Sequence, residues 1–199
     1  MEMTRVEVRM AGANADNTVP LPATLIADLR TDHAGETGAV MIYRGILATT
    51  TDAGVRHFAQ SHLATETRHL AEIEPLLTRR QCSRLLPIWR VAGWLTGALP
   101  ALFGPRAVYA TIEAVETFVD RHYAEQIESI DRQDPGHTRA SLQALRALLE
   151  GCRSDEVAHR DEAAALCAVG GRPAPRALRV WVGMVGNGSR VAVKICRWI

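Results

Sequence analysis

The sequence predicts an all-α fold, a four-helix bundle with two additional apolar helices laid against it. Three observations carry that expectation. Apolar residues recur every three to four positions through four long stretches, which Gly, Pro and Asp residues separate. The phrase Glu-x-x-His occurs twice, as Glu66-Thr67-Arg68-His69 and Glu156-Val157-Ala158-His159. Three positions apart on a helix means one face, one turn on, so each phrase aims a carboxylate and an imidazole together. Finally, Glu36 lies 30 residues before Glu66 and Glu116 lies 40 before Glu156, so one helix-pair unit reads as used twice.

Residues 1–20 carry no periodicity and hold Gly12, Asn14, Asp16, Asn17 and Pro20, the composition of a flexible arm. Residues 21–199 read as one domain. A first helix is expected from about Pro22 to Thr50, with Leu25, Ile26, Leu29, Val40, Ile42 and Ile46 on its apolar stripe. Gly35 and Gly38 within it each cost about 1 kcal/mol relative to alanine, so a close helix approach or an open channel beside Glu36 should compensate. Asp52 is an N-cap candidate for a second helix from about Ala53 to Arg79, whose inner face carries His62, Glu66, His69 and Ile73. Residues 85–104 read as a short apolar helix bounded by Pro87 and Pro100. A third long helix starts at Pro105, a favourable first-turn residue, and runs to about Arg132. A fourth runs from about His137 to Val169, where Gly170-Gly171 stops it. The last segment, residues 176–199, is amphipathic, with Gly186-Asn187-Gly188 as its weak point.

Length and charge narrow the class. At 199 residues the chain can bury a sizeable core, and its net charge of +1 selects no partner. The distribution of charge is more telling. No acidic residue falls between Glu74 and Glu113 or after Glu162, and those two stretches carry +11 while the remainder carries −10. All four tryptophans (Trp89, Trp94, Trp181 and Trp198) lie in the same two stretches. Tryptophan with arginine in apolar, acid-free segments suits a membrane interface with anionic head groups, so residues 85–104 and 176–199 are expected to face a membrane. Nucleic acid is excluded as a partner because apolar residues interrupt the basic stripe. Arg90 within residues 85–104 and the absence of any apolar run of about 18 residues argue against a spanning helix. Four scattered cysteines without a Cys-x-x-Cys and an N-terminus without an apolar leader run fit a reducing compartment.

Four carboxylates and two neutral imidazoles match two divalent cations in charge, and burying them without metal would be costly. A Glu from each of two helices plus Glu-x-x-His from the other two is the ligand pattern of ferritin-like di-metal carboxylate bundles. The expected arrangement has Glu66 and Glu156 bridging, Glu36 and His69 completing one metal, and Glu116 and His159 the other. Glu116 is preferred to Glu113 because Tyr123 follows it by seven residues, as Tyr43 follows Glu36, placing each tyrosine on its glutamate's own stripe. Mixed oxygen and nitrogen ligands suit iron or manganese and exclude a structural zinc site. Asp155 is the candidate to receive the second N–H of a ligating histidine. His122 and Tyr123 are candidate catalytic residues for electron or proton delivery, and His33 and His62 fall near the site without being ligands.

Asp32-His33-Ala34-Gly35-Glu36, Glu66-x-x-His69-Leu70, Ala114-Val115-Glu116 with His122-Tyr123, Asp155-Glu156-x-x-His159 and Ser189-Arg190-Val191-Ala192 resemble the demethoxyubiquinone hydroxylase family of ubiquinone biosynthesis. The resemblance runs from about Leu25 to the C-terminus and implies a ferritin-like, membrane-associated di-iron monooxygenase. Such an enzyme uses two iron ions, O2 and an external electron donor, NADH or a reduced quinol, to hydroxylate the ring of a polyprenyl methoxy-methyl-benzoquinol in the penultimate step to ubiquinone. The implied location is peripheral, on the cytoplasmic face of a bacterial membrane or the matrix side of the inner mitochondrial membrane. The implied partners are an accessory lipid-binding protein or other proteins of the same biosynthesis. The alternatives on the same ligands are an iron-storage or ferroxidase protein and a di-manganese catalase.

Overall fold

The computed structural model describes residues 21–169 and 174–199; the expected flexible arm, residues 1–20, lies outside the described residues. Among the described residues there are six α-helices: α1 (Ala23–Thr49), α2 (Ala53–Ile73), α3 (Leu86–Ala101), α4 (Pro105–Gln133), α5 (Ala140–Ala168) and α6 (Arg176–Cys196). No strand occurs among the described residues. Helices α1 and α2 form one antiparallel hairpin and α4 and α5 a second, while α3 packs on α1 and α6 on α4 and α1. These are the four-helix bundle and two additional helices that the periodicity predicts.

Local chemistry sets the ends. The Asp52 side chain accepts from Val55 N–H at 2.9 Å and caps α2. Helix α2 ends at Ile73, earlier than the expected Arg79, because Pro75 converts the next turn to the 3-10 stretch Glu74–Leu76 and Leu77 is extended. Gly104, with φ of 95°, makes the left-handed step that admits Pro105 at the first turn of α4. The expected weak point at Gly186-Asn187-Gly188 does not break α6, which runs through it without interruption.

The core explains where the site must lie. Each bundle helix is apolar, then polar, then apolar along its length. In α1, Leu25 and Leu29 precede Glu36, and Ile42 and Ile46 follow it; in α5, Leu145 and Leu149 precede Glu156 and His159, and Ala163 follows. Antiparallel packing gathers the apolar ends into two clusters, one around Ile46, Phe58 and Ile112 and one around Leu29, Ile130 and Leu149. The polar segments of all four helices meet between them.

The α1–α3 contact is backbone on backbone. A Cβ at Gly97 would collide with the Ile42 carbonyl, one at Gly93 with the Gly38 carbonyl, and one at Gly45 with the Trp94 carbonyl. Gly45, Gly93 and Gly97 therefore permit the close approach, whereas Gly35 and Gly38 both face open space on the wall of a cavity, the open channel expected beside Glu36. Helix propensity alone would make Gly97→Ala stabilising by about 1 kcal/mol. The collision with backbone dominates, and we expect a loss of about 1–3 kcal/mol, read as a lower melting temperature. An unchanged or raised melting temperature would show that the two helices are not in backbone contact.

Candidate metal centre

The polar layer between the two apolar clusters is made of the six residues expected from the sequence. Glu36, Glu66, His69, Glu116, Glu156 and His159 are all buried. Their potential ligand atoms form two groups, Glu36-Glu66-His69-Glu156 and Glu66-Glu116-Glu156-His159, each with its atoms within 4.8 Å of one another. Glu66 and Glu156 belong to both groups. His69 Nδ1 lies 3.2 Å from Glu156 Oε1 and 3.7 Å from Glu36 Oε2, and His159 Nδ1 lies 3.1 Å from Glu66 Oε1 and 3.5 Å from Glu156 Oε2. Both imidazoles thus point Nδ1 inward.

The donor set fits a pair of metal ions. Glu36 Oε2, Glu66 Oε1, both oxygens of Glu156 and the Nδ1 atoms of His69 and His159 are buried with no hydrogen-bond partner. Six such atoms converging on one layer would be severely unfavourable unless a cation neutralised them. The electrostatics of the metal-free cluster agree. Burial pushes Glu36 well above the carboxylate range, and burial with the neighbouring Glu156 and Glu66 does the same to Glu116. Burial opposes ionisation of Glu156 too, but His159 and His69 outweigh it and hold this carboxyl low. The same carboxylates hold His159 up at about 9 and raise His69, against burial that works to lower both.

The surrounding residues hold the six side chains in place. Tyr123 on α4 donates to Glu36 on α1 at 2.5 Å, and Tyr43 on α1 donates to Glu116 on α4 at 3.1 Å. The seven-residue spacing correctly put both tyrosines at the site, but each holds the glutamate of the opposite helix. Burial keeps both phenols protonated, as donors must be. His69 Nε2 meets Asp155 Oδ2 at 3.0 Å, the role expected of Asp155, and Arg68 holds the same oxygen at 2.6 Å. Loss of such an outer partner typically costs 10–100-fold in metal affinity. We therefore expect Asp155→Ala to weaken metal retention by about that factor at unchanged helix content; retention equal to wild type would deny Asp155 this role.

Two other histidines lie close by. His62 is buried, stacks on His159 with ring centroids 3.9 Å apart, and contacts Tyr43 Oη at 3.2 Å and Glu162 at 2.9 Å. His33 is buried with Nδ1 unpaired, and its Nε2 lies 3.9 Å from Glu74. Neither is a member of a ligand group.

A cavity of about 470 Å³ opens against the cluster. Glu36, Glu66, Glu116 and Glu156 form its inner end, and Asp32, His122 and Tyr123 continue the wall. The rest is mostly apolar and comes from α1, α3, α4 and α6, including Ile42, Trp89, Phe118, Met184 and Val185. Trp181 belongs to this wall as well, with its Nε1–H donating to Thr111 Oγ1 at 2.9 Å. It therefore does not share the outward, membrane-facing position expected for the tryptophans, whereas Trp198 is 87% exposed. His122 Nε2 lies 3.0 Å from Asp32 Oδ1 and 3.1 Å from Thr31 Oγ1. Sequence reasoning gave Asp32 no role beyond its place in the phrase Asp32-His33-Ala34-Gly35-Glu36, and it missed Gln126, which donates to Asp32 Oδ1 at 2.6 Å. The local signal for Asp32 was its place one turn before Glu36.

Comparison with known proteins gives the same direction. The family described as "Ubiquinone biosynthesis protein COQ7" matches residues 23–196. The 3-demethoxyubiquinol 3-hydroxylase of Rhodospirillum rubrum is 38% identical over 183 residues, covering 87% of this chain and 78% of that protein. The human mitochondrial NADPH-dependent 3-demethoxyubiquinone 3-hydroxylase is 33% identical over 160 residues, 79% of this chain and 71% of its own. Its counterpart in Caenorhabditis elegans is 31% identical over 135 residues, 67% of this chain and 70% of its own. With a match spanning all six helices, and with the paired Glu-x-x-His ligand layer in place, the chain belongs to the COQ7 family of ubiquinone biosynthesis proteins.

Proposed function

We propose that this chain is an O2-dependent hydroxylase acting on the ring of a polyprenyl methoxy-methyl-benzoquinol, the demethoxy precursor of ubiquinone. The observation that carries the reading is the junction of two features. A layer of unpaired buried carboxylates and imidazoles forms the inner end of a largely apolar cavity of about 470 Å³. Glu36, Glu66, His69, Glu116, Glu156 and His159 would hold two iron ions. When bound, such ions supply redox chemistry with O2 that no side chain provides. The protein's part is to place and shield the reaction. Tyr43 and Tyr123 fix the two terminal glutamates, and Asp155 fixes the tautomer of His69. The walls from α3 and α6 exclude water and accept an apolar ring and the start of its tail. His122 and Tyr123, on the cavity wall beside the cluster, would pass protons or electrons, with reducing equivalents from a nicotinamide nucleotide or a reduced quinol.

Residues 21–199 act in this reading as one domain whose α3 and α6 lie on a membrane surface. No helix among the described residues is long and apolar enough to cross a membrane. Yet Ile88, Val91, Leu102 and Phe103 from α3 and its C-terminal end, and Val180, Met184 and Val191 from α6, are more than half exposed. Exposed Arg79, Arg80, Arg84, Arg90, Arg176, Arg179, Arg190 and Lys194 accompany them. Apolar side chains with a basic fringe fit an anionic bilayer, from which a polyprenyl quinol could enter the cavity without crossing water. An accessory lipid-binding protein would dock on the same face. Iron storage and peroxide dismutation need no apolar cavity of this size, so the ligand-sharing alternatives fit less well. The test is the quinone content of a strain lacking the gene. Accumulation of the demethoxy precursor, cleared by the wild-type gene, supports the hydroxylase; a normal quinone profile overturns it.

A further inference from the structure

Among the described residues, Asp32 is the one acidic residue of the cavity wall outside the ligand groups. Its side chain is fully buried, and its two oxygens differ. Oδ1 accepts from Gln126 Nε2 at 2.6 Å and lies 3.0 Å from His122 Nε2, so the carboxylate is clamped from α4. Oδ2 is buried and has no partner. A buried, unpaired carboxylate oxygen on a cavity wall needs a donor, and the protein supplies none. Asp32 and Glu36 are four residues apart on α1, a rise of about 6 Å, comparable to the span of a six-membered ring carrying oxygens at opposite ends.

We propose that Asp32 Oδ2 is the acceptor for a ring hydroxyl of the bound substrate, and that it makes the cavity select the reduced, quinol form over the quinone. This rests on the cavity being the quinol site. A quinol offers an O–H where Oδ2 needs one. A quinone offers only a carbonyl oxygen, which would face Oδ2 as acceptor against acceptor and leave both unsatisfied in a water-poor site. Discrimination of this kind is stronger than discrimination by shape, because the wrong ligand strands a buried polar group. No bond is made or broken by Asp32; it binds and orients the ring.

The test is anaerobic binding to the metal-loaded protein, followed by fluorescence of the cavity tryptophans Trp89 and Trp181. The probes are a short-tailed methoxy-methyl-benzoquinol and the corresponding benzoquinone. Wild type should bind the quinol at least about tenfold more tightly than the quinone, the scale of one charge-assisted hydrogen bond. Asp32→Asn keeps an oxygen for Gln126 and His122 but places an N–H where Oδ2 stood. It should lose the preference or reverse it, because an amide can donate to a quinone carbonyl. Equal binding of both forms by wild type overturns the proposal whether or not the variant folds. So does an Asp32→Asn protein, folded by its melting curve, that keeps the wild-type preference. Binding of neither form by wild type removes the cavity from the quinol reading itself and takes this proposal with it.

Discussion

Replacing Glu156 with alanine is expected to abolish metal loading and turnover while leaving a folded helical protein. Both oxygens of Glu156 are buried without partners, and it belongs to both candidate groups, so its loss would remove a donor from both at once. Outer partners of ligating residues are worth up to about 100-fold in affinity or activity, and a shared ligand should exceed that. The fold should survive because Glu156 lies in the polar layer, with the two apolar clusters on either side untouched. Removing it also relieves one buried carboxylate, which offsets part of the packing lost. Glu113→Ala provides the contrast. Glu113 sits one turn before Glu116 on the same helix but is only half-buried and belongs to neither group. It should keep its metal and change stability by no more than about 0.5 kcal/mol. Metal content by elemental analysis and helix content by circular dichroism decide the matter. A metal-loaded, active Glu156→Ala protein would dismantle the ligand assignment.

The buried Glu and His layer was legible because helical spacing is rigid. Glu66 and His69 had to share a face, as did Glu156 and His159, and Asp155 sits beside the second phrase, where it reaches His69 on α2. The helices themselves were legible from the same periodicity. What escaped was decided by neighbours the sequence does not reveal. Tyr43 and Tyr123 lie on the stripes of Glu36 and Glu116, but only the antiparallel register of α1 and α4 determines that each tyrosine serves the other helix's glutamate. Trp181 has the composition context of an interfacial tryptophan, yet its indole N–H finds Thr111 across the α4–α6 contact. Gly186 and Gly188 should weaken α6 by propensity, but packing of that helix against α4 and α1 overrides it. The asymmetry of Asp32, with one oxygen clamped and one free, depends on Gln126 more than 90 residues away, which no local pattern could indicate.

Removing the metals should reverse the way stability responds to pH. In the metal-free protein His159 is held up at about 9 from an ordinary 6.5, and His69 is raised too, by the carboxylates around them. The folded state therefore holds these protons more tightly than the unfolded chain does. That contribution is fully present below about pH 6.5 and is lost as pH rises through the folded-state value. Glu36, raised above the carboxylate range by burial, acts in the same sense, because its ionisation is resisted only in the folded state. Glu156 is held low, so it titrates beneath this window and does not offset the trend. Between pH 6.5 and 9 the stripped protein should lose on the order of 3 kcal/mol from His159 alone, since each tenfold difference in proton affinity between folded and unfolded chain is worth about 1.4 kcal/mol. The loaded protein should do the opposite. Metal binding requires deprotonated ligands, so affinity rises over the same range, and ions at a thousandfold excess over their dissociation constant add about 4 kcal/mol per site. Melting curves of chelator-stripped protein and of protein reloaded anaerobically with Fe(II) or Mn(II), taken at both pH values, read the two slopes directly. A stripped protein whose melting temperature stays level or rises with pH would mean that the cluster is not the source of its own instability, and the case for a metal-neutralised carboxylate layer would fail with it.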